Sequence, residues 1–269
     1  MPTDESSTNS PTEAKRSWWR RQIAEQGSFI ERDVLSADHI AQLKSDLLAA
    51  IDEEAVYHGG SDYADYGMVL ACYMHGRSFL ELLDHPPLID PVEAVLGPGC
   101  IVYAYTSSSM PPHRSNYSGR IHVDSPRVIP GYTTNLGITI ALDDFTADNG
   151  ATYYLPRSHE RTDPPTEEEF LDGAERLIVP AGSAWFFHAR TWHRGGVNTT
   201  PAWRHALTFN ICRPFMKQRL DIPRMLAGRD LSGLPDRVLQ KLGFFSQVPA
   251  SLDEYYAPPE RRKYKQPVE

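Results

Sequence analysis

The chain has 269 residues, of which 41% are hydrophobic and 23% are charged, as in a soluble globular protein with one large domain. Its formal net charge of -8 argues against nucleic acid or an anionic membrane as the main partner, and no apolar run reaches the roughly 20 residues of a membrane span. The three cysteines fit neither a zinc site nor a disulfide framework, and no secretory signal is visible. We therefore expect a cytoplasmic protein with reduced thiols.

The first part of the chain predicts a tail followed by a helix. Residues 1–17 are rich in Ser, Thr, Pro and Glu, which is typical of a disordered tail, and 18–269 then form a single domain. A short strand is expected around Phe29 and Ile30. Ser36 is a suitable N-cap, and apolar residues at helical spacing predict a helix over 37–52.

The next segment has no clear period. Residues 53–78 are rich in Gly, Tyr and Met and form either a mobile lid or an irregular connection. A short helix is expected over 91–96, with Pro91 in its first turn, and it ends at Gly97.

From Cys100 onward the pattern is that of strands. In residues 133–142 and 203–212 the side chains alternate between two faces, and Asp148-Asn149-Gly150 predicts a hairpin turn. The expected strands cover 101–107, 133–142, 151–155, 177–180, 184–188 and 203–212. Helices followed by many short strands indicate a β-sandwich or barrel with flanking helices, with its core at about 100–215.

One pair of residues suggests a metal site. His122 and Asp124 stand two apart, so in a strand both side chains project to the same face. A surface His–Asp pair at a strand end explains this tripeptide about as well. A second imidazole, His193, would complete the two nitrogen donors and one carboxylate that an Fe(II) oxygenase needs, with open positions for a 2-oxo acid and O2.

Arg204 strengthens that interpretation. A hairpin centred between Asn198 and Thr199 would place His193 opposite Arg204 on one face. A guanidinium there can bind the distal carboxylate of 2-oxoglutarate with two hydrogen bonds. The other histidines near these segments are expected to have structural roles; they are His113, His159, His188 and His205.

With these residues in hand, the chain resembles the phytanoyl-CoA dioxygenase (PhyH-like) family of Fe(II)/2-oxoglutarate-dependent oxygenases. The resemblance covers most of residues 20–215. It is carried by Glu25–Ile30, Leu96-Gly97-Pro98, His122-Val-Asp124, Leu142-Asp143-Asp144 with Asn149-Gly150, Leu155–His159, His193–Asn198 and Arg204. This chain has Arg157 where the family often has Gly, and a short interval between Asp124 and His193.

The resemblance implies a mainly β fold with flanking α-helices and a double-stranded β-helix core, a cupin-like jelly-roll. It also implies that His122, Asp124 and His193 bind iron and that Arg204 binds the C5 carboxylate of 2-oxoglutarate. The implied reaction uses O2, releases succinate and CO2, and hydroxylates, desaturates or cyclises a small-molecule metabolite. Related halogenases have Gly or Ala in place of Asp124, so a non-halogenating enzyme of natural-product metabolism is expected.

Five further residues are candidates for the site. Thr106 and Asn135 lie on strands near the metal motif and would face the C1 end of 2-oxoglutarate, although cross-strand hydrogen bonds explain them equally. Arg127, Tyr105 and Tyr73 are candidate substrate contacts; a surface salt bridge for Arg127 and ordinary packing for the tyrosines are the alternatives.

Two rival interpretations stay open at this point. In one, the chain is a non-catalytic jelly-roll binding protein with structural histidines. In the other, it is a metalloenzyme of the same fold that uses no 2-oxo acid, and Arg204 is a core residue. The sequence leaves the oligomeric state and the substrate open.

Overall fold

A computed structural model of the chain describes residues 11–262. Within that range the helices are α1 (Glu13–Gln26), α2 (Ala37–Ala55), α3 (Arg77–Glu81), α4 (Pro86–Leu96), α5 (Glu167–Gly173), α6 (Ile222–Met225), α7 (Asp236–Lys241) and α8 (Leu252–Tyr255). The strands are β1 (Ser28–Glu31), β2 (Ile101–Ser107), β3 (Asn135–Ala141), β4 (Tyr153–Tyr154), β5 (Glu175–Arg176), β6 (Ala184–His188), β7 (His193–Arg194) and β8 (Ala206–Cys212). None of these helices has the length and apolar character to cross a bilayer.

The strands form two antiparallel sheets. The larger has the order β1-β6-β3-β8-β2, and the smaller has the order β5-β4-β7. Neighbours in the large sheet are distant in sequence, as expected when a chain winds between two sheets. The two sheets and the flanking helices confirm the predicted jelly-roll fold class.

Alternation along the central strands divides the core into two parts. In β3, Leu136, Ile138 and Ile140 pack against the helices in the larger hydrophobic cluster. The other face of the large sheet contributes Ala141, Trp185 and Phe187 to a smaller cluster, where Tyr154 of the small sheet also packs. The predicted faces of this strand are therefore observed, and one face points between the sheets.

Three boundaries near the helices differ from the sequence expectation. Helix α1 begins at Glu13, inside the predicted tail 1–17, because Thr12 caps it and Trp19 and Ile23 anchor it in the core. Residues 1–10 lie outside the described residues. Helix α4 begins at Pro86, and Pro91 lies within it rather than in its first turn. Ser36 caps α2 as predicted, but α2 continues to Ala55.

The expected strand pairings around the site are wrong. The turn at residues 148–150 does not join β3 to a hairpin partner, because β3 lies in the large sheet and β4 in the small one. The His193–Arg204 hairpin also does not form. His193 pairs with Tyr154 and bridges to His122, whereas Arg204 bridges to Met110. The expected strand at 177–180 is reduced to a single bridge between Phe145 and Val179.

We predict that Gly137→Ala destabilises the protein. A Cβ at this position in β3 would lie 2.1 Å from the Phe187 ring, which spans the strand from β6. Overpacking of this kind costs about 1–3 kcal/mol, measurable by denaturant unfolding. The double variant Gly137→Ala/Phe187→Leu should recover part of that loss; no recovery would show that the ring is not the obstacle.

Candidate active site

Three side chains predicted to bind a metal converge at one end of the space between the sheets. One donor atom from each of His122, Asp124 and His193 lies within 4.8 Å of the others. Asp124 Oδ1 is 3.7 Å from His122 Nε2 and 3.9 Å from His193 Nε2. The structure therefore brings together the three residues that the sequence singled out, with two nitrogens and one carboxylate oxygen facing a common point.

Backbone pairing holds this cluster. The amide of His122 donates to the carbonyl of His193, and the amide of His193 donates to the carbonyl of His122, both at 3.0 Å. One residue beyond Asp124, the Ser125 amide donates to the Ala189 carbonyl at 3.0 Å. The segment carrying His122 and Asp124 is thus fixed at both ends to the segment carrying His193.

Both imidazole rings are oriented by backbone carbonyls. His122 Nδ1 lies 2.7 Å from the Arg120 carbonyl, and His193 Nδ1 lies 2.9 Å from the Thr191 carbonyl. A carbonyl can only accept, so each Nδ1 carries the proton and each Nε2 offers a lone pair. Burial lowers the pKa of His193, and the charge of Asp124 opposes this effect only in part. The lowered pKa favours the neutral imidazole, which is the form that binds metals.

The cluster forms part of the wall of a cavity of about 630 Å³. Next to it, the inner face of the large sheet contributes hydroxyl and amide side chains from Thr106, Thr139, Thr208 and Asn210. The wall also carries tyrosines and one charge of each sign, from Tyr63, Asp65, Tyr103, Tyr117 and Arg219. Such a cavity is large enough for a small organic molecule in addition to a metal.

Arg204 is buried behind Ser108, which lines the cavity; Arg204 itself is not among the lining residues, and it has no acidic partner in the described part of the chain. Its guanidinium donates to the carbonyls of Ser108 at 3.2 Å and Gly150 at 3.1 Å, lies 4.1 Å from the Phe145 ring centre, and leaves Nε unbonded among the described residues. Ser108 lines the cavity. Burial lowers the pKa of Arg204 to about 10, so the side chain keeps its charge at neutral pH.

The carboxylate that most affects Arg204 is already engaged. Asp143 partly offsets the effect of burial on the pKa of Arg204. Its two oxygens, however, bind the Lys44 ammonium and the His205 amide. A buried cation held only by neutral carbonyls is costly. Arg204 is therefore suited to bind an external carboxylate.

The remaining predicted site residues divide into two groups. Thr106 lines the cavity, and Asn135 lies one step behind it, where its amide donates to Asn210 Oδ1 at 3.0 Å. The three substrate candidates lie elsewhere. Tyr105 is buried on the helix side and donates to the Phe79 carbonyl, Tyr73 lies beside Met225, and Arg127 is exposed and does not line the cavity.

Several cavity residues were not identified from the sequence. Thr208 and Asn210 alternate on the same face as Arg204, so the pattern of β8 already contained the signal for them. A bulge in β2 explains why the prediction of Tyr105 as a substrate contact was wrong. At the bulge, Tyr103 and Ala104 both line the cavity, and the Tyr105 side chain therefore projects to the opposite side of the strand. Tyr117 begins a single 3-10 turn and Arg219 lies in a loop, and no periodicity marks either of them.

Three of the four histidines predicted to be structural make side-chain bonds within the protein, and the fourth, His113, donates through its backbone amide to the Thr200 carbonyl. His205 Nδ1 pairs with Ser109 Oγ, and His159 Nε2 pairs with the Ala24 carbonyl. His188 Nδ1 accepts from the Arg190 amide, and burial lowers its pKa to about 4. None of the three belongs to the metal cluster found among the described residues.

Comparison with known proteins shows the family. The sequence model of the phytanoyl-CoA dioxygenase (PhyH) family matches residues 23–206, and the chain belongs to that family. It is 31% identical over 233 residues to "Uncharacterized protein Rv1501" of Mycobacterium tuberculosis, covering 85% of this chain and 84% of that protein. It is 28% identical over 136 residues to "Dioxygenase af480" of Aspergillus fumigatus, covering 48% of this chain and 42% of that protein.

Solved structures show the same fold. The epimerase SnoN, in complex with Fe3+, alpha ketoglutarate and nogalamycin RO, superimposes with a TM-score of 0.60 at 19% identity, over 83% of this chain and 93% of that one. The non-heme alpha ketoglutarate dependent carbocyclase SnoK from nogalamycin biosynthesis gives a TM-score of 0.57 at 22% identity, over 77% of this chain and 85% of that one. At these identities the likeness concerns the fold.

We predict that His122→Ala, Asp124→Ala and His193→Ala each lose stoichiometric Fe(II) binding, because each change removes one of three donors. Anaerobic calorimetry measures the binding, and circular dichroism checks that the fold is retained. His39→Ala, which removes an exposed histidine of α2, is the control and should bind iron normally. Unchanged iron affinity in all three variants would exclude this cluster as the metal site.

Proposed function

We propose that this protein is an Fe(II)- and 2-oxoglutarate-dependent oxygenase that oxidises a small-molecule metabolite, in natural-product biosynthesis, with release of succinate and CO2. The reaction is a hydroxylation or a related desaturation or cyclisation. The observation that carries the proposal is a two-imidazole, one-carboxylate cluster on the cavity wall together with a buried guanidinium that bonds to the cavity-lining residue Ser108 and meets no carboxylate among residues 11–262. Each feature has an alternative explanation by itself, but together they match the two ends of an iron-bound 2-oxo acid.

The donor set fits iron. His122, Asp124 and His193 would hold the metal through two nitrogens and one carboxylate oxygen. When bound, the metal supplies redox chemistry with O2 and the 2-oxo acid, which the side chains cannot provide. The residues of this chain would hold the metal at the cavity wall, and the Arg120 and Thr191 carbonyls orient the two imidazoles.

Arg204 would bind the C5 carboxylate of 2-oxoglutarate. The buried guanidinium would gain charge-assisted hydrogen bonds that the Ser108 and Gly150 carbonyls cannot give. Thr106 is our candidate for the C1 end, because it lines the cavity with the metal ligands. Asn135 would act through Asn210, whose side chain it holds.

The part of the cavity left for substrate suits a compact organic molecule with polar groups. Its tyrosines and Met68 provide apolar and aromatic surface, and Asp65 and Arg219 provide one charge of each sign. No strongly basic patch for a large anionic carrier lines this cavity. The likeness to structures from nogalamycin biosynthesis supports a natural-product substrate.

We predict that Arg204→Ala weakens 2-oxoglutarate binding and spares Fe(II) binding. Loss of one partner from a buried charged pair costs about 2–5 kcal/mol, or roughly 30- to 4,000-fold in affinity. An anaerobic titration of the iron-loaded protein, followed by the visible charge-transfer band of the metal-bound 2-oxo acid, measures the change.

Arg213→Ala is the matched control for this experiment. Arg213 also donates to backbone carbonyls, those of Thr133, Leu96 and Val95, but none of these three residues lines the cavity, whereas Ser108, the partner of Arg204, does. Its variant should titrate like the unmodified protein. A normal titration for Arg204→Ala would favour a structural role for this arginine, and no band at all would favour a metalloenzyme or binding protein that uses no 2-oxo acid.

We predict that the enzyme does not halogenate its product. Asp124 contributes a carboxylate oxygen to the cluster, and that anion fills the position a halide would need on the metal and disfavours a second negative charge there. Product mass after turnover in chloride and bromide buffers provides the test. Added oxygen, or loss of two hydrogens, with matching succinate is the expected result, and a halogenated product would refute it.

A further inference from the structure

Behind the metal ligand His193 lies a chain of aromatic side chains that reaches the protein surface. The Trp185 ring centre is 6.0 Å from that of His193, and the Tyr154 ring centre is 5.1 Å from that of Trp185. Phe187 stacks on Trp185 at 4.1 Å and packs against His193 at 5.0 Å. Trp185 is fully buried, whereas Tyr154 is half-buried. Two oxidisable rings therefore connect the metal ligand to the half-buried Tyr154 in the central strand of the small sheet.

The small sheet places a carboxylate base, Glu175, next to Tyr154 at the end of this row of aromatic rings. Tyr154 is the register partner of His193 on one side and of Glu175 on the other, so the three residues form one row across the sheet. The Tyr154 hydroxyl donates to Glu175 Oε2 at 2.7 Å. Burial, together with that neighbouring carboxylate, raises the pKa of Tyr154, so the phenol keeps its proton in the resting protein. Glu175 is exposed.

Trp185 and Tyr154 differ in whether a neighbouring group can accept the proton of the oxidised ring. Trp185 Nε1 is buried and has no hydrogen-bond partner among the described residues. An indole that has lost an electron there cannot release its N–H proton to a neighbouring acceptor. The phenol of Tyr154 has such an acceptor in Glu175. An electron vacancy created at Trp185 would therefore move on to Tyr154, where loss of the electron and transfer of the proton occur together.

We propose that Trp185, Tyr154 and Glu175 form an electron-transfer path that reduces the oxidant made at the metal when it forms without a substrate to attack. One electron passes from Tyr154 through Trp185 to the metal site, lowering the oxidation state of the oxidant by one. The phenolic proton passes to Glu175, leaving a neutral tyrosyl radical and a protonated carboxyl group. A soluble one-electron reductant of the ascorbate or thiol class then restores Tyr154, and Glu175 returns the proton. This path rests on the proposed function, which supplies the oxidant.

The neighbouring Tyr153 provides a matched comparison. It precedes Tyr154 in β4, so its side chain projects to the other face of the sheet. Its ring lies 4.3 Å from the Arg176 guanidinium and 5.3 Å from that of Arg194. Adjacent cations oppose the loss of an electron, and no ring contact links Tyr153 to Trp185 among the described residues. Removing the hydroxyl of Tyr153 should leave the path intact.

The experiment mixes the anaerobic iron- and 2-oxoglutarate-loaded protein with O2 in the absence of substrate. A tyrosyl radical is followed by stopped-flow absorption and by electron paramagnetic resonance after rapid freezing. The unmodified protein and Tyr153→Phe should give the radical, and Tyr154→Phe should lose it. Trp185→Phe and Glu175→Gln should form it more slowly, because one removes the intermediate ring and the other the proton acceptor. Peptide mass spectrometry should show more oxygen added to cavity side chains in Tyr154→Phe than in Tyr153→Phe.

A second experiment distinguishes failure of this electron-transfer path from failure of the proposed 2-oxoglutarate cosubstrate. Hydrogen peroxide added to the Fe(II)-loaded protein alone generates an oxidant at the same ligands. A Tyr154 radical with peroxide but not with 2-oxoglutarate and O2 would support the path and contradict the proposed cosubstrate. A radical of unchanged yield in Tyr154→Phe, equal formation rates in Trp185→Phe and the unmodified protein, or no radical in either experiment would overturn the path.

Discussion

The reciprocal backbone hydrogen bonds between His122 and His193 are the contact on which the candidate site depends. These residues are far apart in sequence, and neither segment forms a long strand of its own. Their pairing nevertheless sets the distance between the two imidazoles. It also brings the carboxylate of Asp124, two residues beyond His122, close to both rings. Because the two Nδ1 atoms are also held by backbone carbonyls, main-chain geometry rather than side-chain packing fixes the direction of the metal-facing nitrogens.

In the large sheet, alternate side chains of the same strand belong to the hydrophobic core and to the cavity wall. Odd and even positions of β3 and β8 project to opposite faces, so one strand supplies both the helix-facing core and the cavity wall. Leu207 and Phe209 pack with the helices, while Thr208 and Asn210 face the cavity. This division allows the cavity face to be polar without loss of the apolar layer that stabilises the sheet.

Local pattern was enough to predict the pairing of His122 with Asp124 on one face, the faces of β3 and the cap of α2, because each depends on neighbours close in sequence. His193 is distant in sequence, and the resemblance to the family, not a local pattern, joined it to that pair. Arg204 was singled out for a hairpin that does not exist: the turn after His193 leads from the small sheet into the large one, and nothing in the local sequence records that change of sheet. The bulge at Tyr103 was hidden for a similar reason, since one extra residue inverts the faces of a strand without altering its composition. Arg157 is a different case. It adopts a φ of 59°, a left-handed conformation that glycine would enter without steric cost.

The solitary charge of Arg204 has a consequence for the protein between turnovers. A buried guanidinium without an acid lowers the stability of the native state, and only the native state offers the pocket that can compensate for it. Occupancy of that pocket is therefore thermodynamically linked to folding. A ligand present at 100 times its Kd would add about 2.7 kcal/mol to the free energy of unfolding. If Arg204 binds 2-oxoglutarate as proposed, the lifetime of the polypeptide against unfolding and proteolysis would follow the supply of that small carboxylate.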